Sequence, residues 1–207
     1  MAGLTVVLPF FMPLGVALVA GDTIAGEAGL GTLRAVLVRP VGRTRLLATK
    51  LTSAALFCLV AAGVVAAAGL LAGAVLFPLG RVTTLSGATI PLLNGMGRAV
   101  MAAGVVGLSM LGLAAVGLFI STVTDSAIAA MAVTAGVAVV RELLDVIPQL
   151  RGIHPVLFTH YWNSFGDLLR TTGGLGAIER NLFLQLAWVV VFGLAAWARF
   201  TTKDVLA

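Results

Sequence analysis

Charge is scarce in this chain. Only 10% of its 207 residues are charged, whereas 60% are hydrophobic and the mean hydropathy is +1.11. A soluble globular domain carries charge on about a quarter of its residues. The formal charge of +5 comes without a basic run interleaved with aromatics, which disfavours nucleic-acid binding. The composition therefore predicts an integral membrane protein.

Residues that build common catalytic and metal sites are also few. Cys58 is the single cysteine, so a disulfide framework is impossible, and its apolar surroundings indicate a small buried side chain. No GxxxxGK[ST] or HExxH motif occurs, so the sequence offers no Walker-type phosphate loop and no standard zinc motif. His154 and His160 are six residues apart, which places them on different faces of a helix. We therefore expect no metal site and no catalytic residue.

Long uncharged runs are what the chain has in abundance. About 20 apolar residues cross the roughly 30 Å hydrocarbon core of a bilayer as a helix. Five segments meet this criterion, and they predict an all-α polytopic transmembrane bundle forming one domain over residues 1–207. The predicted spans are 2–21, 52–77, 99–120, 126–147 and 182–198.

The loop between the first two spans holds an unusual share of the charge. Of the 21 acidic and basic residues in the chain, seven fall within residues 22–50. Clusters of Arg and Lys in short loops favour the cytosolic side, so we expect this loop and the C-terminus to be cytosolic. Loops 79–97 and 148–180 would then be external, and an odd number of spans places Met1 outside. The seven residues are Asp22, Glu27, Arg34, Arg39, Arg43, Arg45 and Lys50.

The pattern inside this loop predicts a short amphipathic helix over residues 26–38. Acidic residues near its start and Arg34 near its end suit the helix dipole. Pro40 disfavours helical geometry at Arg39 and ends the helix. An apolar stripe at helical spacing is formed by Leu30, Leu33 and Leu37.

These residues resemble a known family. The series Glu27-x3-Gly31-Thr32-Leu33-Arg34, then Arg39-Pro40-Val41-Gly42-Arg43, then Lys50, is similar to the cytosolic loop of type-2 ABC transporter permeases. The tail Trp197-x2-Phe200-x2-Lys203-Asp204 is similar to their C-terminal end. Members of that family usually have six spans, so the resemblance implies that this sequence lacks the first.

The resemblance implies a role for the loop. Its helix would be the coupling helix that docks in a cleft of a separate ATP-binding subunit, which binds ATP and Mg, so this chain needs no cofactor. A second permease copy, identical or different, would complete the pathway in the bilayer. The alternative is a basic loop that anchors to anionic lipid headgroups. The residues implied in coupling are Glu27, Gly31, Thr32, Leu33, Arg34, Arg39, Pro40 and Arg43.

Three charged residues near the end of the fourth span form a second candidate site. Charge inside a membrane is costly and needs partners, and Arg141 and Asp145 have the i, i+4 spacing that allows an ion pair. With Glu142, they would form either an interfacial ion pair or a polar lining of the substrate path. Beyond them, residues 156–170 predict an amphipathic helix at the outer interface.

The sequence thus predicts the permease subunit of an ATP-driven exporter of a small amphiphilic substrate. The excess of 11 Arg over 2 Lys suggests a GC-rich bacterial genome and hence a bacterial cell membrane. Two alternatives belong to other classes. One is a membrane-embedded enzyme that uses the 148–180 region, and the other is a carrier or immunity protein that needs no ATPase.

Overall fold

The structure is a computed structural model that describes residues 2–30, 42–76, 82–83, 86–170 and 174–202. Six α-helices account for most of these residues. They are α1 Ala2–Gly29, α2 Arg43–Leu76, α3 Leu92–Ser109, α4 Leu111–Val123, α5 Ala127–Val146 and α6 Gly176–Thr202. The strands β1 Val82–Thr83 and β2 Thr89–Ile90 form a two-residue antiparallel pair in which Val82 is opposite Ile90.

Within the described residues, five helical segments are long and apolar enough to cross a membrane, because α3 and α4 together form one of them over Leu92–Val123. The predicted all-α, five-span bundle is confirmed, and the chain is a multi-pass membrane protein. The longest helix, α2, has 34 residues, which corresponds to about 50 Å at 1.5 Å per residue. It exceeds the hydrocarbon thickness, so its basic first turns extend beyond the apolar layer.

Helix α1 runs through Gly29 without interruption. Asp22 and Glu27 therefore lie in its last turns, and the prediction that a new helix begins near residue 26 is wrong. No proline occurs between residues 21 and 29, and the helix continues through Gly21 and Gly26 to Gly29. The remainder of the predicted helix, residues 31–38, lies outside the described residues.

Helix α4 occupies the centre of the bundle, with nine of its thirteen residues buried. It packs against α1, α5 and α6, and small residues allow the close approach that membrane helices use for packing. A Cβ atom added at Gly117 would lie 2.8 Å from the Ala20 Cβ of α1 and 3.0 Å from the Thr134 Cγ2 of α5. Glycine is therefore required where these three helices meet.

The chain between α5 and α6 folds back onto the bundle; we call residues 147–170 the cap. It consists of short 3₁₀ helices at Pro148–Leu150, His154–Val156 and Trp162–Leu169, so the prediction of a single amphipathic helix over 156–170 is wrong. Within this range the backbone forms bonds between residues three apart, such as the 2.9 Å bond from the Ser164 N–H to the Tyr161 carbonyl, which is the 3₁₀ pattern. The cap also buries Phe158 and Trp162 completely in the main core. Its second half, from Leu157 to Leu169, packs against α3 and α6, whereas most of residues 147–156 are exposed.

The bundle has two ends. The loop end contains Gly29, Arg43, Thr124 and Thr202, where α1, α4 and α6 finish and α2 begins. The cap end contains the cap, the finish of α2 and the starts of α3 and α6. The two predicted sites fall at opposite ends.

Candidate functional site

The predicted coupling residues are only partly described. Gly31, Thr32, Leu33, Arg34, Arg39 and Pro40 lie outside the described residues, whereas Glu27 and Arg43 stand on the two helices that flank this segment. The site is therefore built from the stems of the loop, which are the last turns of α1 and the first turns of α2.

The first stem is held by an ion pair. Lys50 Nζ on α2 donates a hydrogen bond to Glu27 Oε1 on α1. The two side chains are only 21% and 29% exposed, so the pair is partly shielded from water and is less screened than a surface pair. It fixes the end of α1 against α2.

The second stem is held by the C-terminal turn of α6. Arg43 Nη1 donates to the carbonyl oxygens of Phe200 at 3.3 Å and Thr201 at 3.0 Å. The last carbonyls of a helix lack intrahelical partners and carry partial negative charge, so an arginine is a favourable partner for them. Trp197 Nε1 adds a 2.9 Å hydrogen bond to Thr44 Oγ1. The start of α2 is thereby fixed to α6.

A buried serine connects the first stem to the centre of the bundle. Ser121 Oγ of α4 accepts hydrogen bonds from the backbone N–H groups of Ile24 at 2.9 Å and Ala25 at 2.8 Å. The Thr23 hydroxyl donates to the backbone carbonyl of Ala20 one turn earlier. Side chains thus form hydrogen bonds with backbone groups of α1, as membrane helices do where the local helical geometry is irregular.

An apolar cluster lies beneath both stems. It brings together side chains from α1, α2, α4 and α6, namely Ile24, Leu47, Leu118, Ala196 and Phe200. Every helix that ends or begins at the stems therefore contributes to one packed unit. Both stems therefore share packing contacts with the central helix α4 through Leu118.

At the cap end, Arg141 has aromatic partners. Its guanidinium lies 3.9 Å from the ring centroid of Trp188 and 4.9 Å from that of Phe158, a cation–π arrangement that favours a desolvated arginine. Among the described residues it forms no ion pair with Asp145, so the expected i, i+4 pair is not the one formed. Glu142 is half-buried beside Arg141 on α5.

Asp145 instead contacts the two histidines of the cap. The Nδ1 atom of His160 donates to Asp145 Oδ1 at 2.6 Å, and the Nδ1 atom of His154 lies 3.9 Å from the same oxygen. This grouping was not predicted, because the six-residue spacing of the histidines was tested on helical geometry, which places them on different faces. Pro155, between the two histidines, was the available signal that the segment is not α-helical.

A groove runs along α5 beside Arg141. Its volume is about 590 Å³, and its walls are apolar except for the arginine. The lining residues are Val133, Gly136, Val137, Val140, Arg141, Leu144, Ile153 and Leu157. An apolar wall with a single cationic group is chemically suited to an amphiphile with a negative head.

A polar network inside the bundle joins the cap to the break between α3 and α4. Gln185 of α6 accepts a 3.0 Å hydrogen bond from the Gly112 N–H and donates at 2.8 Å to the Phe158 carbonyl. Asn181 donates to the hydroxyls of Ser109 and Ser164. Gln185 thus supplies an acceptor to a backbone N–H that the helix break leaves free. No proline or charged residue marks this break within the predicted 99–120 span.

Comparison with known proteins gives one assignment. No curated protein matches the chain. The sequence profile of the family described as "Protein of unknown function (DUF2705)" matches residues 1–206. Because this match covers almost the whole sequence, the chain belongs to the DUF2705 family.

Proposed function

We propose that this chain is the membrane-spanning permease subunit of an ATP-driven exporter in a bacterial cell membrane. The coupling segment that the resemblance to type-2 ABC permeases implies, residues 26–38, would dock on a separate ATP-binding subunit. The observation that carries the proposal is the fixation of both stems of this segment, through Glu27 with Lys50 and through Arg43 with the end of α6.

A loop that transmits force must be firmly attached to the helices that it moves. The loop end provides this attachment, because α1, α2 and α6 are tied to one another by polar contacts and share one apolar cluster. Ser121 extends the connection to α4. A basic loop that only anchored to lipid headgroups would need none of these contacts, since headgroup attraction acts on charge alone.

The groove beside Arg141 supports a substrate class. An amphiphile could place its apolar part against α5 and its anionic head near the guanidinium, and it could enter from the lipid because the groove is open. The second permease copy would face the pathway, with α2 as one contact surface. Gly69 and Gly73 on α2 have no neighbouring atom within 4 Å of an added Cβ, which leaves this small-residue face available to another helix.

The proposal requires the loop end to be cytosolic. Single cysteines at Thr44 and Ser86, in a Cys58→Ser background, test this with an impermeant thiol reagent on intact cells. We expect labelling at Ser86 and protection at Thr44, with both labelled after permeabilisation. The opposite pattern would reverse the orientation and remove the basis for docking a cytosolic ATPase.

Affinity purification of the tagged chain in mild detergent tests the function directly. We expect a co-purifying protein with a Walker-type phosphate loop, and loss of that protein in an Arg34→Glu variant. Arg170→Glu, at the opposite end of the bundle, serves as the control and should retain the partner. Retention of the ATPase by Arg34→Glu, with normal transport, would contradict the coupling role and favour a basic loop that anchors to lipid headgroups.

A further inference from the structure

We propose that Asp145, His154 and His160 form a binding site for a divalent first-row transition-metal ion, with zinc as the best-suited member, that fastens the cap to the end of α5. This inference does not depend on the proposed transport function. It rests on the geometry of three side chains at the cap end of the bundle, whereas the stems lie at the loop end.

The donor atoms are already close together. One ligand atom from each of the three residues lies within 4.8 Å of the other two. Around a tetrahedral zinc ion with bonds of about 2.0–2.2 Å, ligand atoms are roughly 3.3–3.6 Å apart. To reach that geometry, separations near 4.8 Å must shorten by little more than about 1 Å and the 2.6 Å separation of His160 Nδ1 from Asp145 Oδ1 must widen by about 1 Å or less. Side-chain rotation can supply both changes.

His154 is oriented as a metal ligand. Its Nε2 atom lies 3.2 Å from the carbonyl oxygen of Ile147, and since a carbonyl can only accept, Nε2 carries the proton. In the neutral ring the Nδ1 lone pair then faces Asp145 Oδ1 at 3.9 Å. Two electron-rich atoms face each other there, and a cation between them would be stabilised by both. A backbone carbonyl that fixes the other nitrogen is the usual outer partner of a metal-bound histidine.

His160 completes the set after a change of tautomer. Its Nδ1–H now donates to Asp145 Oδ1 at 2.6 Å. For Nδ1 to bind a metal, the ring proton must move to Nε2, and the ring stays neutral in the exchange. Its side chain is 31% exposed, so water can carry the proton. The rings of the two histidines are 5.6 Å apart between centroids, which leaves room for an ion between them and the carboxylate.

The donor set decides the class of ion. Two imidazole nitrogens and one carboxylate oxygen suit zinc and its neighbours, whereas Mg²⁺ and Ca²⁺ prefer oxygen ligands. Three protein ligands leave a fourth position for water or another donor. The ligands stand on the last turn of α5 and on two separate turns of the cap, so a bound ion would join these parts of the chain.

The small number of histidines in the sequence makes the imidazole signals easy to assign. His154 and His160 are the only histidines in the chain, so every imidazole signal comes from this site, provided that purification uses a tag without histidine. The full-length protein in detergent, stripped with a chelator, is titrated with Zn²⁺ by calorimetry, and Mg²⁺ is titrated in parallel. The variants are Asp145→Asn, His154→Gln and His160→Gln. Asp167→Asn, in the same cap, is the matched control.

We expect one Zn²⁺ per chain, no measurable Mg²⁺ binding, and a loss of Zn²⁺ affinity of at least about tenfold in each ligand variant. Asp167→Asn should bind like the wild type. Equal Zn²⁺ binding by the wild type and a variant lacking both histidines would overturn the proposal.

X-ray absorption of the zinc-loaded wild type needs no variant and therefore does not depend on variants folding. We expect only nitrogen and oxygen neighbours at about 2.0–2.1 Å, with the scattering pattern of imidazole. A sulfur neighbour at about 2.3 Å would assign the metal to Cys58 and refute the site, as would a spectrum without imidazole.

Discussion

The ion pair between Glu27 and Lys50 offers the sharpest test of how the loop end is built. Replacing Glu27 by Lys puts two ammonium groups where a carboxylate and an ammonium now make a direct contact. If Glu27 serves mainly to hold the stem, the exchanged double variant, Glu27→Lys with Lys50→Glu, should restore both stability and partner binding. If Glu27 contacts the ATPase itself, the exchange should restore stability alone.

The magnitude follows from the geometry. Two like charges 4 Å apart repel by about 4 kcal/mol at an effective dielectric constant of 20. The side chains are 21% and 29% exposed, so they can turn outward and solvent screening reduces the repulsion. We expect the single variants to lose about 1–3 kcal/mol of unfolding free energy, which corresponds to a decrease in Tm of roughly 2–10 °C for a chain of this size.

Thermal unfolding in detergent and co-purification of the ATPase are the two assays. Arg45→Glu is the control, because Arg45 is an exposed basic residue on the same turns of α2 and its reversal should leave the Tm unchanged. The double-mutant cycle isolates the pair from other effects of each substitution. A coupling energy below about 0.5 kcal/mol, with wild-type Tm in both single variants, would show that the Glu27–Lys50 pair does not stabilise the loop end.

Three further substitutions test the packing and the buried polar contacts, each by thermal unfolding. Ser121→Ala removes the acceptor of two backbone N–H groups, and we expect a loss of about 1–3 kcal/mol, whereas Ser53→Ala, on an exposed helix face, should be neutral. Gly117→Ala places a methyl group 2.8 Å from a side-chain carbon of α1 and should cost about 1–3 kcal/mol; Gly104→Ala, with no atom within 4 Å, should not. Gln185→Leu leaves an N–H of α4 and a carbonyl of the cap unpaired and should cost about 2 kcal/mol or more. A stable Gln185→Leu protein would show that water or a neighbouring group takes up those atoms.

The number of spans could be predicted because hydropathy is a local property. A run such as the uncharged part of α2 identifies itself without reference to any other segment. The ends of the helices were harder to predict from the sequence. The continuation of α1 to Gly29 brings Ile24 and Ala25 to Ser121, which is 96 residues from Ala25 along the chain and accepts hydrogen bonds from both backbone N–H groups. A contact between such distant residues cannot be predicted from local hydropathy.

The partners of the charged residues were the hardest to predict. The spacing of Arg141 and Asp145 suggested an ion pair. Instead, the guanidinium of Arg141 lies over the rings of Trp188 and Phe158, and Asp145 accepts a hydrogen bond from His160. Helical spacing records only which residues share a face. The competing partners come from α6 and from the cap, and their positions depend on 3₁₀ turns and on tertiary packing that periodicity does not encode.

The position of Gln185 bears on the order in which the protein is made. Helix α6 follows the other described helices in the chain and is synthesised after them, yet Gln185 completes the hydrogen bonding of the break before α4 and of the cap. Until α6 arrives, the Gly112 N–H at the centre of the future bundle has no such acceptor, and an unpaired amide in hydrocarbon is costly. Before α6 joins the bundle, the Gly112 N–H and the Phe158 carbonyl therefore lack the partner that Gln185 gives both of them in the finished fold.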